Sequence, residues 1–525
     1  MQRTRQNESL EDSLARSSGG DARALADVVL RGSNIVSSLN PSAAAQDTQG
    51  SDEELAQLLE VLRHISQVAD HASLEGALAG NFLVSTCRAA ALKGTEQHAW
   101  ALVSLRNYAT SSVGAIDCAR AGGAECALDV LNDEQLRDMK IAGEPKPLKK
   151  ICLEMLQDVV VAHPAPDARL LPRDSYGPVL EAMTGDADFD CAGCAFHVLA
   201  WMEGGTDETT QATFLVSRLA AAQRDAGGGQ AGNAPAHIMG VLRCIEELLC
   251  GEPPPIQALA CAGLAEHGLA VCRDPKWRGA DEQSGQYRAI RCLATFADKA
   301  AGAMAVVKAG GVACVVDALA DPTLCEPGPG LLRDAATTLL YNITRWSDVR
   351  PLLMDSSGLC PTAETLERFV DDQDEAIAFV ASLGLAWLAG GQDEKDHHHI
   401  VAASRSATQI CARLEIRILD PKNERGFNFN ELGAAIARIS INDANKTVLR
   451  ESGVLPLLAR ALPIGLTIQE QDDPTPLVEA LLQLSFEPES KEWLKEHQEK
   501  GELGATLRAL VHGPSPKPTS QTPQP

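Results

Sequence analysis

Aromatic residues are scarce. Phe, Tyr and Trp together make up 4% of the 525 residues. Large compact cores draw on such rings for bulk, so one thick enzyme-like core is not expected. Positive charge is also short, with 46 Lys+Arg against 71 Asp+Glu and a formal charge of −25. That balance argues against a phosphate-binding surface, and so against nucleic acid as a partner. It argues equally against docking on anionic lipid. No run of 18 apolar residues occurs, so no membrane span is expected. The segment Met1–Ser18 mixes Arg3, Arg5 and Arg16 with Glu8, Glu11 and Asp12 and lacks the apolar stretch of a secretory signal. No Lys/Arg cluster of the nuclear-import kind is present. The phosphate loop GxxxxGKS/T, a GxGxxG after a strand, the GxSxG elbow and the HExxH pair are all missing. Extended alternating runs are scarce too, which leaves no sheet to present catalytic loops. Neither an enzyme nor a cofactor is expected.

Small apolar residues take the place of rings. Apolar residues reach 45%, enough for a folded chain. The 15 cysteines, an odd number, mostly sit in apolar helical patterns such as Val241-Leu242-Arg243-Cys244-Ile245. Free cysteine behaves as a small buried hydrophobe. So many unpaired thiols would mispair in an oxidising compartment, which points to a cytoplasmic protein.

Three stretches read as non-globular. Residues 1–50 are rich in Ser, Gln, Asn and Gly, with one short helix expected near Ala22–Leu30. Residues 223–235 read as a flexible loop, and 513–525 as a disordered Pro-rich tail with Ser515-Pro516 and Thr522-Pro523 as candidate phosphorylation sites. Between them, residues 51–512 carry helical period, as in Leu455, Leu457, Leu458 and Leu462. The expected class is all-α.

A pattern recurs within this region: short helix, Gly, apolar helix, loop, longer helix. Its clearest copies are residues 115–131, 303–319 and 445–462, with Gly123, Gly311 and Gly453 at the turn. Weaker copies place Gly80, Gly177, Gly263, Gly358 and Gly501 at or near the same turn. A sharp turn between helices favours a residue without Cβ, for positive φ or close backbone contact.

These segments resemble the armadillo repeat. His98-Ala-Trp100-Ala-Leu-Val-Ser104-Leu matches the family's third helix, Leu339-Leu-Tyr-Asn342-Ile343 keeps its Asn, and Gly453-Val-Leu-Pro456-Leu-Leu is close to its turn-plus-helix consensus. The resemblance implies a right-handed α-solenoid of about ten repeats. Ten positions equivalent to the family's Asn fall at His64, Ser104, Asp158, Trp201, Glu247, Thr295, Asn342, Trp387, Arg438 and Gln483. Their mean interval is about 47 residues, within or just above the armadillo range. Stacked repeats share one continuous core. At roughly 10 Å per helix layer they would form a curved rod on the order of 100 Å long, with a concave groove lined by third helices.

The resemblance also implies the function, a protein-interaction scaffold or adaptor that binds a partner segment along the groove. Relatives of this kind include small-GTPase dissociation stimulators and chaperone cofactors. A regulatory cofactor of a small GTPase or Hsp70-type chaperone, or a structural component of a cytoskeletal or ciliary assembly, are therefore the alternatives. Groove candidates are Trp100, Ser104, His197, Trp201, Arg243, Glu247, Arg291, Asn342, Trp387 and Arg438. The Trp residues would anchor apolar stems, while Arg243, Arg291, Asn342 and Arg438 would set polar register. Only Asn342 is an Asn at the Asn position, and only Trp100 is a Trp four residues before one. A regular peptide-clamping ladder is therefore not expected, and the partner's identity is left open.

Three metal-like patterns do not fit metal chemistry. Cys191-Ala-Gly-Cys194 with His197 lacks the further ligand pair of a structural zinc site, and reads as small residues inside a third helix. His397-His398-His399 would splay about 100° apart on a helix. Aligning Gly426 with the sixth position of a calcium loop puts Pro421 and Leu432 where oxygen ligands belong.

Overall fold

The computed structural model describes residues 13, 22–38, 52–68, 76–88, 92–162, 173–205, 207–227, 234–251, 253–279, 284–320, 331–353, 360–389, 404–421, 427–467, 475–500 and 502–512. Among the described residues there are helices and no strands, so the all-α class holds. The chain forms two compact units, Met1–His267 and Gly268–Pro525.

Ten helices contain the ten Asn-equivalent positions, one in each. In chain order they are α1 (Asp52–Val68), α2 (Glu96–Ala109), α3 (Leu148–Ala162), α4 (Phe189–Gly204), α5 (Ala234–Leu249), α6 (Gly285–Ala297), α7 (Leu331–Thr344), α8 (Glu375–Ala389), α9 (Phe429–Ile439) and α10 (Thr475–Leu484). In the first unit α1 to α5 pack in series, each against the next. In the second, α6 to α10 do the same. Further helices cover each ladder. Ser112–Ala121 and Gly123–Asn132 complete a triplet with α3, and Ala300–Lys308 and Gly311–Ala320 with α7, while Asp443–Glu451 packs on Val454–Thr467, which in turn packs on α10.

Local chemistry sets where these helices begin and turn. The Thr95 hydroxyl caps α2 through the His98 amide, Asp188 caps α4, Ser284 caps α6, and Asn428 forms a reciprocal capping box with Glu431 on α9. Each satisfies amides that the first turn leaves without a partner. The inter-helix turn differs by one residue from the sequence expectation. The residues at positive φ are Gly122 (97°) and Gly310 (78°), not Gly123 and Gly311. Gly123 and Gly311 open the next helix, where a Cβ would come 2.3 Å from Cys118 Sγ or 2.4 Å from Val306 Cγ1. The double glycine thus serves both conditions, one per residue. Gly453 does carry positive φ, at 79°.

The scarcity of rings follows from how the ladder helices meet. A Cβ on Gly240 of α5 would lie 2.6 Å from Ala192 Cβ of α4, and one on Gly433 of α9 would lie 2.8 Å from the Leu477 amide of α10. Backbones this close leave room for Ala, Cys and Gly but not for Phe or Trp. Cys191 and Cys194 occupy this layer, buried in α4 as the sequence reading has it.

Other expectations fare differently. The helix near Ala22–Leu30 runs to Ser38 and buries Val28, Val29 and Val36. Of the expected loop 223–235, residues 223–227 are the end of helix Glu208–Gly227, where Gln223 donates to the His267 carbonyl at 2.7 Å; residues 228–233 lie outside the described set. The histidine run 397–399 and the tail 513–525 with its two Ser/Thr-Pro pairs also lie outside it. No single helix among the described residues is long and apolar enough to cross a membrane.

Candidate functional site

The ten candidate residues fall into two sets, one per unit. In the first unit, Trp100 and Ser104 lie on α2, His197 and Trp201 on α4, and Arg243 and Glu247 on α5, while α3 between them carries none of the ten. Ser104 is fully buried; its hydroxyl lies 3.0 Å from the Leu62 carbonyl of α1 and 2.8 Å from that of Trp100. Trp201 is buried as well, and its indole N–H finds no acceptor. These two side chains pack the ladder and present no surface to a partner.

Trp100 is half-buried, with the Arg63 guanidinium over its ring at 5.6 Å and its N–H directed at Glu96 at 3.4 Å. Arg63 also pairs with Glu96. A cation on the ring face and a carboxylate at its edge hold the indole in one pose.

Beyond Trp100 a polar line runs across the helices. Arg106 of α2 meets Glu154 of α3 at 2.8 Å, and Lys146 meets the same carboxylate at 2.8 Å. Gln157 of α3 donates to Glu247 of α5 at 2.9 Å, reaching past α4, whose His197 Nδ1 is 3.4 Å from Gln157 and 3.7 Å from Glu247. Arg243 Nε donates to Glu247 at 3.0 Å. Burial pushes the Glu247 carboxyl up, but His197, Arg243 and Gln157 together hold it below its ordinary value. Asp158 goes the other way. Burial, aided by Glu154, raises it to about 6 against the pull of Arg106, His197 and Lys146.

In the second unit Arg291 of α6 is exposed and donates to the Tyr287 hydroxyl at 3.1 Å. Asn342 of α7 is buried and donates to the Ala294 carbonyl of α6 at 2.9 Å. The one Asn at the family's Asn position therefore ties two ladder helices together, and its amide is not turned to a partner. Trp387 of α8 is half-buried beside Tyr341. Arg438 of α9 is half-buried, its Nε has no hydrogen-bond partner, and among the described residues no carboxylate pairs with it. Burial lowers it to about 10, and the nearby Arg350 adds like-charge repulsion. Arg350 in turn is pinned by donation to the Thr344 and Arg345 carbonyls at 3.2 Å each.

Sequence reasoning reached Glu247, His197 and Arg438 but missed Arg106, Lys146, Gln157 and Arg350 as their neighbours. Gln157 sits one residue before the aligned position, and Arg106 two residues after it. A strict one-residue-per-repeat alignment cannot find them. Among the described residues no group of three or more His, Cys, Asp or Glu side chains is placed to hold a metal ion.

No family model and no curated protein matches the sequence. Solved structures do resemble it. One is an engineered protein, 18% identical, with a TM-score of 0.46 over 87% of this chain and 99% of that one. A second is a designed armadillo repeat protein in complex with the peptide (KR)4, 19% identical, TM-score 0.35, over 52% and 98%. A third comes from work on a phosphorylation switch in the interaction between cadherin and beta-catenin, 14% identical, TM-score 0.45, over 94% of each chain. What makes the fold armadillo-like is the chain's own recurrence, around Gly122, Gly263 and Gly310, of two short helices joined at a left-handed glycine and followed by a longer ladder helix.

Proposed function

We propose that this protein is a scaffold or adaptor of the reducing cytosol that binds protein partners along the faces of its ladder helices. The observation that carries this reading is Arg438, a half-buried guanidinium on the ladder with no carboxylate partner among the described residues. Burying an unpaired cation costs stability, and an acidic group of a bound partner would offset that cost. Trp387 on the neighbouring helix and Trp100 in the first unit add half-buried aromatic surface of the kind that anchors partner segments. His197, Arg243, Glu247 and Arg291 supply polar register around them. Ser104, Trp201 and Asn342 belong to the packing of the ladder instead.

The test is affinity capture with mass spectrometry, comparing the native chain with Trp100→Ala, Trp387→Ala and Arg438→Leu. Leu419→Ala, at a side chain 73% exposed and outside the ladder helices, is the control. The ladder variants are expected to lose partners that the control retains. Arg438→Leu is also expected to gain about 1–3 kcal/mol of stability while losing binding. Partners that stay bound to all three ladder variants would sink the reading.

A further inference from the structure

The last ladder helix leaves its outer face uncovered. In α6 to α9 the residues five and one before the aligned position are all buried: Ile290 and Ala294, Thr337 and Tyr341, Ser382 and Ala386, Gly433 and Ala437. The repeat that follows supplies the cover. The Ala294 carbonyl accepts from Asn342 of α7, and the Ser382 hydroxyl lies 3.2 Å from Gln409 of helix Ser404–Leu419. A Cβ on Gly433 would meet the Leu477 amide of α10 at 2.8 Å. In α10 the same two positions hold Val478 and Leu482. Val478 is half-buried, and Leu482 is 57% exposed.

Leu477, Ala480, Leu481 and Leu484 bury the inner side of α10. Thr475, Glu479 and Leu482 are exposed, and at 3.6 residues per turn they point to the opposite side. Phe486 follows one turn beyond Leu482. It is 67% exposed, with Lys446 Nζ 5.6 Å from its ring centroid. The helix itself packs on α9 and on Val454–Thr467. Helices Pro488–Lys500 and Glu502–His512 then pack on each other, and the second of them on Val454–Thr467. Among the described residues no eleventh ladder helix follows α10. The end repeats of a solenoid ordinarily turn a polar face outward. Here Val478, Leu482 and Phe486 form an apolar line, one residue per turn, the spacing at which a second helix lays down its own apolar stripe.

Charge names the occupant. Glu479 is exposed on this face, and among the described residues no cation pairs with it. Glu470, Asp472 and Asp473 precede the helix in the sequence. A second copy of the chain would bring these carboxylates against their own counterparts, with a formal charge of −25 on each chain. A helix with Lys or Arg beside its apolar stripe meets complementary charge instead.

We propose that the outer face of α10 is a docking site for a basic amphipathic α-helix of a partner protein. Leucine-like side chains of that helix pack on Val478, Leu482 and Phe486, and a Lys or Arg pairs with Glu479. The partner helix occupies the place of an eleventh ladder helix. This face stands at the end of the ladder, and the proposal does not depend on the roles given to Trp100, Trp387 and Arg438.

The probe is a fluorescent synthetic helix of about 15 residues, near the length at which an isolated helix holds in water. It carries Leu along one face and Lys on its flanks. Two counterparts have the same composition scrambled, or Glu in place of every Lys. Anisotropy titration with the full chain is expected to show saturable binding of the lysine helix and not of its counterparts. Leu482→Ser and Phe486→Ser change side chains that are already exposed, so their melts should match the native chain. Each should weaken binding roughly tenfold, the lower end of what one buried apolar side chain supplies. Glu479→Gln should weaken binding and flatten its dependence on salt. Leu419→Ser, at another exposed apolar side chain of the same unit, should bind as the native chain does. Failure of the lysine helix to bind overturns the inference. So does equal binding of the Glu helix, or binding unchanged by Leu482→Ser and Phe486→Ser. A native chain that sediments as a dimer, with Leu482→Ser a monomer, would assign the face to a second copy and overturn it as well.

Discussion

At the scale of single residues, burial and charge decide what each polar side chain on the ladder does. Asp158 shows it most directly. Its carboxyl is raised to about 6, with burial as the leading cause. An unfolded chain would titrate it near 4. Between about pH 4 and pH 6 the folded state therefore holds the proton more tightly than the unfolded state. The stability this confers is fully present below about pH 4 and is lost as pH rises through 6. Above that pH the ionised carboxylate is a net cost. Asp158→Asn should accordingly be more stable than the native chain at pH 7.5 by about 1–2 kcal/mol, after allowance for its partial exposure. The difference should shrink toward zero at pH 4, as read by denaturant melts at the two values. A difference that does not vary with pH would show that Asp158 is not the group titrating. Nothing in the sequence marks Asp158 apart from Glu154 one turn earlier. What separates them is that Glu154 meets Arg106 and Lys146 at 2.8 Å, and the Arg106 contact exists only because α2 packs against α3.

At the scale of elements, each ladder helix was legible because its apolar period is strong, and all ten aligned positions fall within helices. The turn was misplaced by one residue in two of the three clearest copies. A Gly-Gly pair satisfies two different conditions, and sequence alone does not say which glycine meets which. Spacing between helices was hidden entirely, although it explains the composition. Gly433 illustrates this. A Cβ there would lie 2.8 Å from the Leu477 amide nitrogen and 3.0 Å from the Pro476 carbonyl carbon, both backbone atoms that cannot rotate away. Gly433→Ala gains helix propensity of nearly 1 kcal/mol, but it must push α9 and α10 apart at a contact where both helices bury leucine. Overpacking of this kind costs about 1–3 kcal/mol, so the net effect should be destabilising. Thermal melts of Gly433→Ala beside Gly453→Ala would separate the two uses of glycine. At Gly453 no atom lies within 4 Å of the added Cβ, and only its φ of 79° is strained. A stabilised Gly433→Ala would show that the two helices have slack that the distances deny.

At the scale of the whole molecule, composition announced a repeat protein, but periodicity concealed where the repeats divide. The aligned positions step evenly from Glu247 to Thr295, with no shift in composition between them. Yet the compact units part at His267 and Gly268, inside helix Leu264–Arg273. Each unit has a core of its own. One runs from Val28 to Trp201, and the other from Tyr341 to Leu503. In a solenoid, stability is close to a sum over repeats and their nearest interfaces, so a cut costs only the interface it severs. Fragments 22–279 and 284–512 spare helix Leu264–Arg273 and keep both of these clusters whole, and the cut between them severs local contacts such as that of Gln286 with the Cys272 carbonyl. Each is expected to show helical circular dichroism and its own cooperative melt. Calorimetry of the intact chain should then resist a single two-state fit, because two cores of different size and composition have no reason to melt at one temperature. Fragments that are both unfolded, together with a single two-state transition for the intact chain, would show instead that the two units fold as one.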